Sequence, residues 1–155
     1  MLRLLFVLLA PIAPKSGAAL CALAPADFQA AGVAGANKPT TNVQEAGANV
    51  ACVYSGKSAA TGGIELDVMY PAGANAKEAK ATFDTAVGEG SSPMKPIKIA
   101  GTDEALWSGD AKSGGPAFAT IAVRKGTLVF VLGIPASKNA QTQLTKLAEL
   151  VLKKF

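Results

Sequence analysis

Residues 117–134 are almost unbroken β-forming sequence, Ala-Phe-Ala-Thr-Ile-Ala-Val-Arg-Lys-Gly-Thr-Leu-Val-Phe-Val-Leu-Gly-Ile. Lys125-Gly126 interrupts the run, which predicts a β-hairpin closed by a two-residue turn. Pairing Arg124 with Thr127 sets Val123 opposite Leu128, Ile121 opposite Phe130 and Ala119 opposite Leu132 on one apolar face. The second face then pairs Ala122 with Val129, Thr120 with Val131 and Phe118 with Gly133. It is small and apolar as well. The hairpin is therefore expected at the centre of a sheet, covered on both sides or offering its second face to a partner.

Other segments carry weaker versions of the same signals. Residues 64–70 alternate strictly, with Ile64, Leu66, Val68 and Tyr70 on one side and Glu65, Asp67 and Met69 on the other. That is the pattern of a half-buried antiparallel strand. Residues 49–55, containing Cys52 and Tyr54, read as a strand, as do the shorter runs 97–99 and 105–108, the latter with Trp107. Residues 33–48 show little periodicity and read mostly as loop.

Three helices are predicted. The first covers residues 23–32, with Pro25 at its first position, Asp27 in its first turn and Phe28 and Ala31 facing the core. The second opens on Asn75, with Glu78 as a capping-box-like partner, and shows a stripe of Ala76, Ala79, Phe83, Ala86 and Val87 before Gly88. The last starts after Ser137 or Asn139 and runs to about Lys154 with a stripe of Ala140, Leu144, Leu147, Ala148, Val151 and Phe155. The expected fold is α+β, a mainly antiparallel sheet packed with helices in the order α-β-β-α-β-β-β-α. Tyr54-Ser55-Gly56 and Trp107-Ser108-Gly109 each precede a Gly-Gly pair and a long strand, which raises a helix–strand–strand unit used twice against a chance likeness of two Gly-rich turns.

The N-terminus changes the picture of where this fold works. Met1-Leu2-Arg3 is a short basic start, residues 4–13 are apolar, and small residues follow from Ser16 to Ala19. This is the layout of a secretory signal peptide over residues 1–19, cleaved after Ala18 or Ala19, followed by a single domain over 20–155. The apolar run is short for a bilayer span and holds Pro11 with Pro14 just beyond it. No stable membrane span is expected after cleavage, and the location is periplasmic or secreted. Two cysteines in an exported chain predict a Cys21–Cys52 disulfide. Ala18 and Leu20 stand before Cys21 in the reverse of the size order of a lipoprotein site, which argues against lipid anchoring there.

The chain has 155 residues, half of them hydrophobic but only 6% aromatic, so small and aliphatic side chains must build the core. Removing Arg3 and Lys15 from its 15 basic residues leaves 13 against 11 acidic ones, a net of +2. The remaining lysines are scattered, and Arg124 is the one arginine left, so a nucleic-acid surface is not expected.

Absent residues bound the chemistry. Without histidine there is no Ser-His or Cys-His catalysis and no His-ligated metal, and a disulfide removes the thiol nucleophile. No cofactor is expected, because each candidate motif is incomplete. Ser55-Gly56-Lys57-Ser58 ends like a phosphate-binding loop but has Ala51 where its first glycine belongs. Gly88-Glu89-Gly90 follows a helix and lacks the third glycine of a dinucleotide loop. Ser92-Pro93-Met94-Lys95 matches Ser-x-x-Lys, yet Pro96 opposes the helix such a pair needs. Glu65 and Asp67 share a strand face and read first as a solvated face, while the adjacent Asp103 and Glu104 should point apart. What remains is a binding surface at the Gly-rich tips: Tyr54, Lys57, Ser58, Trp107, Asp110, Lys112 and Ser113.

Three short motifs carry a likeness. They are Cys21-Ala22-Leu23-Ala24-Pro25-Ala26-Asp27, Cys52-Val53-Tyr54 and Gly101-Thr102-Asp103-Glu104-Ala105. In these the chain resembles a family of small exported bacterial domains and lipoproteins. The resemblance implies a PsbP-like α+β sheet domain with one disulfide, and it transfers no catalytic residues, none being established for such domains. The chain departs from the lipoprotein members at Leu20. The functional expectation is an exported, non-catalytic binding or envelope-associated accessory protein whose partner is an envelope protein or a small ligand. The alternatives are a periplasmic carrier of a small apolar ligand and a hydrolase using carboxylates or a Ser-Lys pair.

Overall fold

The computed structural model describes residues 17–44, 49–56, 63–89, 93–109 and 118–155. Its strands are β1 (Thr40–Gln44), β2 (Asn49–Ser55), β3 (Ile64–Met69), β4 (Lys95–Pro96), β5 (Glu104–Ser108), β6 (Phe118–Lys125) and β7 (Leu128–Pro135). Its helices are α1 (Pro25–Ala30), α2 (Ala76–Gly88) and α3 (Ala140–Lys154), with a 3-10 turn at Gly17–Leu20. The strands form one antiparallel sheet in the order β1-β2-β3-β7-β6-β5-β4. The fold is the expected α+β arrangement. Of the signal peptide expected over residues 1–19, residues 1–16 lie outside the described residues.

The β6–β7 hairpin lies at the centre, with β7 as the middle strand. Its register corrects the sequence expectation by two residues. Val123 pairs with Phe130, Ile121 with Leu132 and Ala119 with Ile134, while Lys125 pairs with Leu128. The cause is the turn. Gly126 takes the first turn position at φ 57°, a conformation that primed hairpin turns demand and glycine supplies freely, so the two turn residues are Gly126 and Thr127. A slip of two keeps every side chain on its face. On the second face the pairs are therefore Arg124–Val129, Ala122–Val131, Thr120–Gly133 and Phe118–Pro135.

One face of the sheet carries α1 and α3. Val50, Cys52, Ile64, Leu66, Val68, Ile121, Phe130 and Leu132 are buried there against Phe28, Leu144, Leu147, Ala148 and Val151. Leu20 is buried in the same core, so the leucine that spoils a lipoprotein site has a packing role. The Cys21–Cys52 disulfide ties this segment to β2 with the Cα atoms 5.7 Å apart. Lys154 Nζ of α3 lies 2.7 Å from Asp27 Oδ2 of α1, and Gln143 Nε2 of α3 donates at 2.7 Å to the carbonyl of Gly32, just past α1. Burial raises the Asp27 carboxyl, but the Lys154 ammonium and the Ala24 amide outweigh it and hold the group below its ordinary range.

The second face is covered by α2. Ala79 and Phe83 pack on Ala122 and Val129, with Met69, Val87, Leu106 and Val131 around them. The hairpin's second face is thus core rather than a free patch. Asn75 caps α2 by accepting from the Lys77 and Glu78 amides at 3.0 Å. Glu78 in turn accepts from the Ala74 amide and from Asn75 Nδ2. Ala76, expected in the stripe, is exposed.

Two edge elements differ from expectation. Residues 40–44, read as loop, form β1 against β2. The second edge strand is Lys95–Pro96 rather than residues 97–99, and Pro96 with Lys95 blunts that edge.

Candidate functional site

The antiparallel order makes β2, β7 and β5 run in the same direction, so the chain leaves all three at one end of the sheet. The binding surface expected from the sequence lies at the tips that follow β2 and β5. Of its residues, Lys57, Ser58, Asp110, Lys112 and Ser113 lie outside the described residues. Tyr54 and Trp107 are described, and they part company. Three strands stand between β2 and β5, a separation of roughly 19 Å at the usual inter-strand spacing. They do not form one surface.

Tyr54 is a core residue. It is 1% exposed, its ring lies 4.6 Å from that of Phe28, and its hydroxyl donates to the Leu23 carbonyl at 2.8 Å. Burial pushes that hydroxyl well above the ordinary phenol range. Its place as a binding residue is corrected by this packing. Tyr54 and Trp107 share a sheet face, while α1 and α2 sit on opposite faces, so the likeness of the two segments stops at the strands.

Trp107 lines a cleft. It pairs with Ile121 on β6 and with Lys95 on β4, and it is only partly buried. Beside it Pro93, Lys95, Ser108, Ser137 and Lys138 enclose an open space of about 650 Å³. A Cβ built on Gly109 would stand 2.4 Å from Trp107 Cη2, so the indole lies directly on main chain that only glycine leaves bare. Lys95 and Lys138 are exposed, and no acidic side chain is among the described residues of the lining. Ser137 and Lys138 lead into α3, whose first turn has no acidic residue and where Ser137 Oγ accepts from the Asn139 amide at 3.3 Å and donates to Gln143 Oε1 at 3.1 Å. The positive end of a fifteen-residue helix therefore starts beside the cleft.

The sequence points to Trp107 but not to the residues beside it. Lys95 stood out only as half of a Ser-x-x-Lys pair. It lies in β4, not in a helical turn, and Ser92 is outside the described residues. No local signal links Lys95 or Lys138 to Trp107; strand pairing and the exit from β7 bring them there.

The carboxylates are arranged differently from expectation. Asp103 and Glu104 do not diverge: both accept from Arg124, at 3.1 Å from Nη1 and 2.9 Å from Nε. Asp103 also accepts from the Gly126 amide at 2.7 Å. Lys80 on α2 reaches Glu104 at 3.4 Å and pairs with Asp84, so the cluster fastens α2 and the hairpin turn to β5. A second cleft, of about 790 Å³, opens beside it along residues 96–106. Its carboxylates are already engaged by Arg124.

Glu65 and Asp67 share the second face of β3, in register with Gly133 and Val131 of β7 and with Val53 and Ala51 of β2. Burial among these small and apolar neighbours, reinforced by Glu65, raises the Asp67 carboxyl to about 7. The face is not simply solvated. Thr120, in the same row as Gly133, has a buried Oγ1 without a hydrogen-bond partner. Neither Glu65 nor Asp67 lines either cleft. Among the described residues no group of three or more His, Cys, Asp or Glu is placed to hold a metal ion, and no helix is long and apolar enough to cross a membrane.

Compared with known proteins, the chain matches no family model and no curated protein.

Proposed function

We propose that this is an exported, non-catalytic binding protein of the bacterial envelope, periplasmic or secreted, that holds a small ligand in the Trp107 cleft. The observation that carries the reading is the cleft itself, an indole set on bare main chain with two exposed lysines on its rim. Its volume falls in the range of small-ligand sites. The leader pattern of residues 1–19 and the disulfide support export. Because the Cys21 sulfur is bonded to Cys52, it has no thiol left for a thioether lipid, which favours a released protein over a lipid-anchored one. The likeness to small exported PsbP-like domains belongs to the same proposal and rests on the three motifs given above.

The apolar-carrier alternative needs a hollow between sheet and helix. The side chains of Leu66, Ile121, Phe130, Leu132, Leu144 and Leu147 are all fully buried across that layer, which favours the edge cleft instead. The test is to purify the protein from its native envelope and identify what accompanies it by mass spectrometry. A small molecule or an envelope protein should co-purify and be lost in Trp107→Ala. A monomer carrying nothing in either form overturns the reading.

A further inference from the structure

We infer that the Trp107 cleft is built for an anion carried on a flat apolar body, such as a planar carboxylate or phosphate ester. This deepens the binding reading and rests on it. Two requirements meet in one place. The flat requirement comes from the indole. It is pinned on one side by Gly109, since any Cβ there would strike the ring, and its exposed remainder forms an apolar wall. A planar ring or conjugated chain gains most by stacking on such a wall. The charge requirement comes from Lys95 and Lys138, which reach the cleft from opposite ends of the second half of the chain. Among the described lining residues there is no acid to pair with either lysine. The Ser137 hydroxyl is already engaged, accepting from the Asn139 amide and donating to Gln143 Oε1, so the charge requirement rests on the two lysines. A cation would meet two like charges. A neutral flat ligand would use the indole and leave the lysines idle.

The chain contains one tryptophan, so its fluorescence reports this cleft and nothing else. The full chain is titrated with the anionic dye 1-anilinonaphthalene-8-sulfonate and with its neutral relative N-phenyl-1-naphthylamine, reading energy transfer from Trp107. The sulfonate should bind at least tenfold more tightly. The double variant Lys95→Gln/Lys138→Gln, at two exposed positions, should lose about tenfold in sulfonate affinity with little change for the neutral dye. An independent measurement uses no dye: iodide should quench Trp107 more than caesium does, and the variant should narrow the gap. Equal affinity for the two dyes, unchanged sulfonate affinity in the variant, or equal quenching by both ions overturns the anion assignment and leaves a ligand cleft standing. Binding of neither dye overturns the assignment as well, and co-purification from the envelope then decides the broader reading by itself.

Discussion

Asp67 is the residue whose environment departs furthest from its sequence expectation. Alternation along residues 64–70 places it on the polar side of a half-buried strand, and that side is correct. What alternation cannot show is that Ala51 and Val131 flank it in the neighbouring strands, so that the carboxylate loses water. With its carboxyl raised from 3.8 to about 7, the folded protein keeps a proton that the unfolded chain releases at lower pH. The contribution to stability is full below the ordinary carboxylate range and is lost as pH rises through about 7. Asp67→Asn should remove this slope and be more stable than the parent at pH 8 by about 1–2 kcal/mol, a figure discounted because the side chain keeps some access to water. Urea denaturation of both proteins at pH 5 and pH 8 measures it; identical pH dependence would refute it. Tyr54 offers a second check. Tyr54→Phe keeps the ring against Phe28 but strands the Leu23 carbonyl, and denaturation should show a loss of about 1–2 kcal/mol.

At the scale of elements, α2 and α3 were legible because each carries a stripe at helical spacing and a recognisable start or stop. The stripe says that a helix has a buried face; it does not say which side of the sheet receives it. Here α3 took the face of Ile121 and Phe130, and α2 took the face of Ala122 and Val129. Phe83 is the main anchor of α2, 1% exposed. Phe83→Ala should cost about 3–4 kcal/mol. Hydrogen exchange should speed up in α2 while α3 stays protected, because the two helices belong to separate core clusters. Uniform acceleration of both would contradict that division. β1 was missed for a related reason. Thr-Thr-Asn-Val-Gln has no apolar alternation, and its strand conformation comes from pairing with β2. The hairpin register was missed by two residues because hydrophobic pattern alone is indifferent to a slip that preserves faces; only the glycine in the turn distinguishes the two pairings.

For the whole molecule, the disulfide joins the segment before α1 to β2 across 31 positions. Cutting it frees the segment that delivers Leu20 and Leu23 to the core. On the chain-entropy model a loop of this length contributes about 3–4 kcal/mol. The reduced protein should lose about that much in a denaturant titration. Equal stability with and without reductant would show that packing around Leu20 holds the segment by itself. The candidate site is also a property of the whole. Its parts come from β4, β5 and the passage from β7 into α3, and they meet because the same end of the sheet receives all of them.

Local pattern was sufficient for the three helices, the long strands, the faces of the central hairpin and the cysteine pairing. These depend on neighbours within a few positions or, for the cysteines, on there being only two. Tertiary structure alone decided that Tyr54 is core and Trp107 is cleft, that Lys95 and Lys138 share a rim, and that Asp67 sits among small apolar side chains. The reason is physical. Burial, desolvation and the meeting of charges are set by strand order and register, and those join residues far apart in the chain.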